Sequence, residues 1–525
     1  MAHQRNDTAI SISDTLTDSP RASAFNKTQI NRQFSSDSTT SDDSLSDYAE
    51  DPSVVPPKHP FRTLVLCFDG TGDQFDLDNS NIVKFFQMLK KDDRTQQMVY
   101  YQAGIGTYTA PQTATPLMTK VSKTLDQAIA WNLDAHVMGG YEFLMQNYMA
   151  GDRICLFGFS RGAYTARSLA GMIHKVGILP ACNHQQVPFA YKMFSKTDEI
   201  GWAQSNAFKK AFSIDVDIEF VGVWDTVNSV GIIPKRLPFT TSNTIVRTFR
   251  HAVSLDERRS KFKANLWNRP NSHEACLGDE ASGEHHHHSN VNKVHDHNGK
   301  HKSHKQKTFE AKYSKDHSLA TDIEEVWFAG CHCDVGGGSV SNDTDSALAR
   351  IPLRWMIREC FKTNTGIMFT QDGLKEIGLD PECLYPTVKP RPPPLPVGDA
   401  RLRSIPPDVK SMLPIRYSSD YSILTSEEQM DLEDALAPIY DQLSLNWIWW
   451  ILELLPLKQK FQKGDNSWAT WFGWNLGRGR IIPKQKKQGV KVHRSVKARL
   501  EAEPEKGSKY APKANVNMDC VIWVD

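Results

Sequence analysis

The chain contains the stretch Arg153-Ile154-Cys155-Leu156-Phe157-Gly158-Phe159-Ser160-Arg161-Gly162-Ala163-Tyr164-Thr165-Ala166, which decides its fold class. A short apolar run typical of a strand leads into Gly158-Phe159-Ser160-Arg161-Gly162, and small and apolar residues at helical spacing follow. This order of strand, tight turn and helix is the context of a G-x-S-x-G nucleophile elbow, whose glycines let the strand and the helix approach closely. The pattern predicts a nucleophilic Ser160 at a helix N-terminus, where negative charge is stabilised. An ordinary strand-to-helix turn with a capping serine is the alternative.

Other apolar runs on both sides of this stretch predict further strands. They cover residues 63–68, 98–101, 218–224 and 323–329, and helical patterns lie between them. Continuous apolar strands that alternate with helices are typical of a sheet covered on both faces. The sequence therefore predicts an α/β-hydrolase-like, doubly wound and mostly parallel sheet, with insertions and a helical C-terminal region.

Local composition divides the chain into regions. Residues 1–58 are rich in Ser and Asp and are expected to form a disordered tail. Residues 60–370 carry the predicted catalytic domain, which a His-rich stretch at 271–318 interrupts as a disordered surface insertion. Residues 371–525 are expected to supply a Pro-rich segment and a Trp-rich helical region that packs on the catalytic domain.

One apolar run in the C-terminal region, residues 445–456, contains three tryptophans and one glutamate. It is too short to span a bilayer. We interpret it as a packing helix, and a lipid-facing segment is the alternative because Trp favours membrane interfaces.

Overall composition narrows the class of function. The chain has 525 residues, of which 39% are hydrophobic, and a net charge of +1. A large core is therefore expected, and no charge imbalance points to nucleic acid. The N-terminus is polar, without a secretory pattern, and the nine cysteines are scattered. We expect an intracellular, cytoplasmic protein with no signal peptide and no transmembrane span.

A serine nucleophile needs a general base, and the base needs an acid that orients it. Asp225 directly follows the predicted strand 218–224, and His332 follows the strand 323–329. The chain order Ser160, Asp225, His332 is that of α/β-hydrolases, in which all three groups lie at the carboxyl ends of strands. These residues are our predicted catalytic triad, although a turn aspartate and a buried structural histidine are ordinary alternatives for the last two.

Other residues offer the same chemistry at less fitting places. His251, which follows a predicted strand, and His493, late in the chain, are the alternative bases. Asp334, two residues beyond His332, is the alternative acid. Cys331-His332-Cys333 lacks a second ligand pair at zinc-finger spacing, so we expect neither a metal nor a cofactor.

The tetrahedral intermediate of ester cleavage needs backbone N–H donors for its oxyanion. One predicted donor is Arg161, the residue after the nucleophile. The second is Gly70 or Thr71 in the loop Asp69-Gly70-Thr71-Gly72-Asp73. This loop also resembles an anion-binding nest, but no Walker lysine follows it, and its aspartates lack EF-hand spacing.

Four motifs in this order resemble a known family. They are Leu66-Cys67-Phe68-Asp69-Gly70-Thr71-Gly72, Gly158-Phe159-Ser160-Arg161-Gly162-Ala163, Val223-Trp224-Asp225-Thr226-Val227, and Trp327-Phe328-Ala329-Gly330-Cys331-His332-Cys333-Asp334-Val335-Gly336-Gly337-Gly338. Together with the run 250–257, they are similar to the α/β-hydrolase-like domain of unknown function that includes the catalytic domains of type VI secretion phospholipase effectors. The tail, the insertion and the Trp-rich region look like those of fungal members.

The resemblance implies serine-ester hydrolysis, with phospholipase activity in the bacterial effectors. We therefore expect a serine hydrolase that cleaves carboxylic esters of lipid or phospholipid type, with a lipid or other ester substrate and peripheral membrane contact. We expect no nucleic-acid partner, and the sequence names no protein partner. The alternative is a catalytically silent interaction protein on the same fold.

Overall fold

The computed structural model describes residues 51–71, 73–104, 133–227, 237–267, 310, 320–405, 426–462 and 468–525. The predicted tail up to residue 50 lies outside these residues, and so does the predicted insertion 271–318 apart from residue 310. Residues 51–58 belong to the fold, because Val54–Val55 pairs antiparallel with Phe369–Thr370 and both valines are buried.

The described residues build one parallel sheet of eight strands. Its order is β8-β7-β6-β5-β4-β3-β1-β2. In chain order, the strands are β1 (Thr63–Phe68), β2 (Gln97–Gln102), β3 (Arg153–Phe159), β4 (Ile218–Trp224), β5 (Val246–Ser254), β6 (Asp322–Phe328), β7 (Val490–His493) and β8 (Val521–Val524).

Helices cover both faces of this sheet, and further short helices lie in the C-terminal region. In chain order, the helices are α1 (Asn81–Gln87), α2 (Leu133–Asn147), α3 (Ser160–Val176), α4 (Val187–Ser195), α5 (Glu199–Phe212), α6 (His332–Gly336), α7 (Arg350–Lys362), α8 (Gln371–Glu376), α9 (Glu427–Ala435), α10 (Gln442–Leu445), α11 (Trp449–Glu453), α12 (Gln485–Gln488) and α13 (Ser495–Glu501). Strand pairs outside the sheet join Arg401–Leu402 with Glu503–Pro504, and Leu457–Gln462 with Trp468–Gly473.

The alternation of side chains along β1 shows why the apolar strands are continuous. Leu64, Leu66 and Phe68 enter the core that α2 to α5 cover, while Val65 and Cys67 enter the opposite core beside α1 and α7. A strand with helices on both faces has no polar side to present. The prediction of a doubly wound, α/β-hydrolase-like parallel sheet is confirmed, with the bounds of β4 as predicted.

The C-terminal region adds two strands to the central sheet that its sequence did not predict. We expected residues 371–525 to pack on the catalytic domain, and the division into domains remains a prediction. The central sheet, however, continues into this region through β7, which pairs with β6, and β8, which pairs with β7. Four-residue strands are too short for a periodicity to separate them from loops, so tertiary pairing decides their structure.

The chain reverses its direction of travel across the sheet at β1. From β1 it moves to β2 on one side, and it then crosses to β3 on the other side of β1 and continues outward. Open parallel sheets bind their ligands at the carboxyl ends of the strands beside such a switch point. The loops after β1, β3, β4 and β6 all open on this edge.

Candidate active site

The turn after β3 holds Ser160 in a strained backbone conformation. Ser160 begins α3 with a φ of 58°, in the left-handed region that side chains avoid. A Cβ on Gly158 would lie 2.5 Å from the carbonyl oxygen of Gly162. A Cβ on Gly162 would lie 2.2 Å from the carbonyl oxygen of Phe68. Only glycine fits at both positions, which is the close approach that a nucleophile elbow requires.

A chain of hydrogen bonds joins Ser160 to two residues from other strand ends. The Nε2 atom of His332 lies 2.7 Å from Oγ of Ser160, and its Nδ1 atom lies 2.6 Å from Oδ2 of Asp225. All three side chains are buried. Asp225 follows β4 directly and also has a positive φ, of 40°. The structure thus brings together the serine, histidine and aspartate that the sequence predicts as a triad.

A buried arginine holds the carboxylate of Asp225. Arg480 donates to both oxygens, and its Nη2 lies 2.8 Å from Oδ2. The backbone N–H of Ser254 donates to Oδ1 at 2.9 Å. Burial alone would raise the pKa of Asp225, but the charge of Arg480 and the hydrogen bonds from His332 and Arg480 outweigh it and hold this pKa far below its usual range. Asp225 is therefore an anion that only accepts hydrogen bonds.

This charge state fixes the tautomer of His332. Because Asp225 carries no proton, Nδ1 donates to it, and Nε2 is left to accept the hydroxyl proton of Ser160. Burial lowers the pKa of His332, and Asp225 opposes the shift without cancelling it. The rings of Phe159 and Phe262 lie 4.7 and 4.9 Å from the imidazole. The histidine is thus neutral near pH 7, in the form that accepts a proton.

Two acids in the loop after β5 fix the segment that carries His332. Asp256 accepts from the N–H of Gly330 at 2.7 Å, and Glu257 accepts from the N–H of His332 at 3.3 Å. Glu257 also pairs with Arg259 at 2.7 Å. Burial raises the pKa of Glu257, but Arg259 outweighs this effect and lowers it to about 2.

The alternative base His251 lies within β5, and not after a strand as predicted. Its Nε2 accepts from the N–H of Thr226 at 3.1 Å, and its Nδ1 lies 3.0 Å from Oε1 of Glu325. Both ring nitrogens are therefore engaged away from Ser160. His251 supports the turn that contains Asp225, since Thr226 is the next residue along the chain.

The other two alternatives also have structural partners. His493, at the end of β7, stacks on Phe328 and bonds Ser495 through Nδ1 at 2.9 Å. Asp334 accepts from the N–H groups of Cys331 and Tyr440, and thereby caps α6. Burial raises the pKa of Asp334 to about 6. Among the described residues, neither of these side chains forms a hydrogen bond with the imidazole of His332.

The predicted oxyanion loop lies against the elbow. A Cβ on Gly70 would come within 2.8 Å of the Phe159 ring, so the loop packs beside Ser160. The N–H of Gly70 already donates to the carboxylate of Asp69 at 2.8 Å, and the hydroxyl of Thr71 is buried without a hydrogen-bond partner. Gly70, Thr71 and Arg161 as oxyanion donors remain a prediction.

The aspartates of this loop affect one another. Burial and the carboxylates of Asp69, Asp78 and Asp76 raise the pKa of Asp73 well above its usual range, against the charge of Arg161. Among the described residues, no group of three or more His, Cys, Asp or Glu side chains could hold a metal ion. No helix in the same residues is both long and apolar enough to cross a membrane.

The Trp-rich run divides between core and surface. Trp449 is buried and lies 5.6 Å from the ring of Phe262, whereas Trp447 is 73% exposed and Trp450 is half-buried. One side chain of the run is therefore packed, as expected of a packing helix, and others are exposed, while contact with lipid remains a prediction.

Arg480 and Glu257 carry no local signal of their roles, and only their partners identify them as part of the site.

This fold and this site define an α/β-hydrolase-like protein. The family model of the T6SS phospholipase effector Tle1-like catalytic domain matches residues 62–359, which is more than half of the chain. The chain belongs to this family, and the resemblance read from its motifs is confirmed. Arg480, β7 and β8 lie beyond the matched residues.

One relative and two solved structures extend this comparison. The uncharacterised protein YEL023C of Saccharomyces cerevisiae is 29% identical over 576 residues, which cover 86% of this chain and 81% of the yeast protein. An uncharacterised protein from Pseudomonas aeruginosa is 17% identical, with a TM-score of 0.30, over 59% of this chain and 47% of that one. The Tle1 effector bound to the VgrG spike of the Type 6 secretion system is 14% identical, with a TM-score of 0.24, over 53% and 51%. The chain spans about half the length of these two structures.

Proposed function

We propose that this protein is a serine hydrolase that cleaves the carboxylic esters of lipids, with phospholipids as the substrate class. The hydrogen-bonded chain from Ser160 through His332 to Asp225 carries this proposal. Membership of the phospholipase effector family supports the choice of a lipid ester.

In the first half-reaction, Oγ of Ser160 attacks the ester carbonyl carbon while Nε2 of His332 takes the hydroxyl proton. The negative charge on the former carbonyl oxygen is received by backbone N–H groups of Arg161 and the loop after β1. As the tetrahedral intermediate collapses, the C–O bond to the alcohol breaks, and Nε2 donates its proton to the leaving oxygen. An acyl-serine remains on the protein.

In the second half-reaction, His332 takes a proton from water, and the oxygen of that water attacks the acyl carbon. The C–O bond to Ser160 breaks, Oγ regains the proton, and the fatty acid leaves. Asp225 accepts from Nδ1 throughout and stabilises the imidazolium that forms twice per turnover. Arg480 positions Asp225, because a carboxylate held at both oxygens cannot rotate away from His332.

A fluorophosphonate probe tests the nucleophile directly, because it phosphonylates only an activated serine. Wild-type protein is expected to gain one probe adduct on the peptide that contains Ser160. Ser160→Ala is expected to lose the adduct and to slow ester hydrolysis by about a thousandfold or more. Ser168→Ala is the matched control, since this buried serine lies in the same helix and bonds the carbonyl of Tyr164 at 2.7 Å.

Two results would contradict the proposal. Folded wild-type protein that reacts neither with the probe nor with any ester of a lipid panel is the silent interaction protein. Labelling that persists in Ser160→Ala places the nucleophile at another residue.

A further inference from the structure

Two sets of large apolar side chains stand exposed on the described surface around the candidate active site. One set is in the loop after β1, and the other is in α11 and the segments on either side of it. We call these residues together the apolar rim: Phe75 (69% exposed), Leu77 (73%), Trp447 (73%), Ile451 (51%), Leu454 (60%), Phe472 (70%) and Trp474 (56%).

The loop side of the apolar rim borders the site through the backbone. The N–H of Asp73 donates to the carbonyl of Gly70, beside the elbow, at 3.0 Å. At the other end of the loop, Ser80 forms a bridge with Gly337, which immediately follows α6. Because α6 begins at His332, Phe75 and Leu77 lie between two segments that build the site.

The tryptophan side borders the site through a column of rings. Trp449 lies 5.6 Å from Phe262, and Phe262 lies 4.9 Å from the ring of His332. Trp447 and Ile451 flank Trp449 in the chain but point outward. The ring of His332 is therefore two ring contacts away from the buried Trp449, which lies in the chain between Trp447 and Ile451 of the apolar rim.

A buried carboxylate holds this exposed segment in place. Glu453 accepts from the N–H of Ser260 at 2.6 Å, from Nδ2 of Asn475 at 2.5 Å and from the N–H of Gly477 at 2.9 Å. These bonds tie α11 and the segment after the strand Trp468–Gly473 to the loop after β5. Trp447, Leu454 and Trp474 are thus held outward by satisfied internal bonds rather than by fraying.

The charge of residues 442–490 indicates which kind of surface the apolar rim contacts. Residues 442–490 contain eight basic and two acidic residues. Arg480 and Glu453 are buried and have internal partners, so seven basic residues and one acidic residue remain. Arg478 is exposed and lies 5.3 Å from the centre of the Trp471 ring. Exposed Trp beside positive charge fits the boundary between acyl chains and anionic headgroups. A second copy of the chain would instead bring two positive segments together.

We infer that the apolar rim docks the protein on the surface of an anionic phospholipid bilayer, with Ser160 and His332 facing the membrane. This inference rests on the proposed function for its substrate class. Docking lets the site receive a lipid ester without moving the acyl chains through water, since Phe75 and Leu77 enter the bilayer on one side of the site and the tryptophans on the other.

Vesicle sedimentation tests this inference without depending on catalysis. Ser160→Ala protein is mixed with sucrose-loaded vesicles of phosphatidylcholine alone, or of phosphatidylcholine with one fifth phosphatidylserine. We expect stronger sedimentation with the anionic vesicles, and a decrease as salt is raised. Adding Trp447→Ser and Leu454→Ser together is expected to reduce the partition coefficient at least about tenfold. Phe75→Ser alone should give a smaller decrease.

A control variant removes exposed apolar area elsewhere. Ile200→Ser, at a residue 68% exposed on α5, should sediment like its parent. The rim variants should keep the melting temperature of the parent, because the replaced side chains contribute little buried area.

Each other result would overturn the inference. Unchanged sedimentation of the rim variants, or equal binding to neutral vesicles at all salt concentrations, would exclude an anionic bilayer as the partner. A melting temperature lowered by many degrees would show that the side chains are packed. A dimer that dissociates in the rim variants would assign the surface to a second copy. If sedimentation follows our expectation while the fluorophosphonate test fails, the docking surface stands and the proposed chemistry does not.

Discussion

Replacing Arg480 tests whether a residue outside the matched family region belongs to the active site. Its guanidinium donates to both oxygens of Asp225, to Oγ of Ser254 at 2.7 Å and to the carbonyl of Phe262 at 2.6 Å. Arg480→Gln removes the charge and most of these bonds. Asp225 then keeps only His332 and the N–H of Ser254 as partners in a fully buried position.

The size of the effect follows from this arrangement. Breaking a buried ion pair from one side costs about 3 to 5 kcal/mol of unfolding free energy. We expect Arg480→Gln to lower the stability by that order. We also expect kcat to fall about 10- to 100-fold, which is the loss typical of removing a residue that orients a metal-binding side chain through a hydrogen bond. KM should change little, because Arg480 touches no substrate.

The pH profile distinguishes positioning from a purely structural role. The charged groups that act on His332 are Asp225 and Glu257, which favour the imidazolium, and Arg259, which opposes it. Arg480 pairs with Asp225 and so offsets the charge of that carboxylate. Removing Arg480 leaves Asp225 without its cationic partner, whereas Glu257 keeps Arg259. The attraction of Asp225 for the imidazolium is then no longer offset, so the pKa of His332 rises. The acid limb of kcat/KM should therefore move to higher pH in Arg480→Gln.

The assay is hydrolysis of a soluble short-chain ester between pH 4.5 and 9, at a temperature at which all variants are folded by circular dichroism. Arg480→Lys should recover part of kcat, because it restores the charge but not the two-point hold. Lys486→Gln, an exposed site six residues away, is the matched control. Wild-type kcat and an unmoved acid limb in folded Arg480→Gln would contradict a positioning role and leave Arg480 a structural residue.

Three further predictions concern the same site. Gly162→Ala should lower activity more than tenfold and reduce the melting temperature, since the added Cβ would lie 2.2 and 2.3 Å from two backbone carbonyl oxygens that cannot move aside. Gly139→Ala in α2 is the control, because its Cβ would meet only the ends of two side chains, at 3.1 and 3.4 Å, and equal activity of the two variants would contradict the clash. In the wild-type protein, kcat/KM should fall on the acid side with a midpoint below about 6.5, the usual pKa of histidine, because a general base works only when neutral and burial lowers the pKa of His332. A midpoint above 7 in a pH titration would show that the attraction of Asp225 for the imidazolium outweighs the effect of burial. His251→Leu should cost about 1 to 3 kcal/mol in a denaturant melt, because leucine cannot accept from the N–H of Thr226 or bond Oε1 of Glu325. It should nevertheless retain far more activity than His332→Leu, and equal losses in kcat would return His251 to the list of bases.

The amino-acid sequence alone determined the features that depend on local pattern. The apolar runs predicted β1, β3 and β4 because a strand buried on both faces has apolar residues at every position. The two glycines around Ser160 predicted the tight turn, since no other residue fits there. The positions of Asp225 and His332 just after strands placed them at one edge, because parallel strands end on the same side of a sheet.

Which of these residues meet, and what holds them, depends on the tertiary structure. His251 lies within β5, His493 ends β7 and His332 follows β6, and the fold alone brings His332 to Ser160. Arg480 reaches Asp225 across 255 positions of the chain, a distance over which no periodicity operates. The pairing of β7 with β6 and of β8 with β7 was likewise absent from the local pattern, because four-residue strands gain their structure from the partner strand. The hydrogen-bond partners of a buried side chain are the groups that the topology brings beside it. These partners therefore depend on the fold of the whole chain and not on the neighbouring residues in sequence.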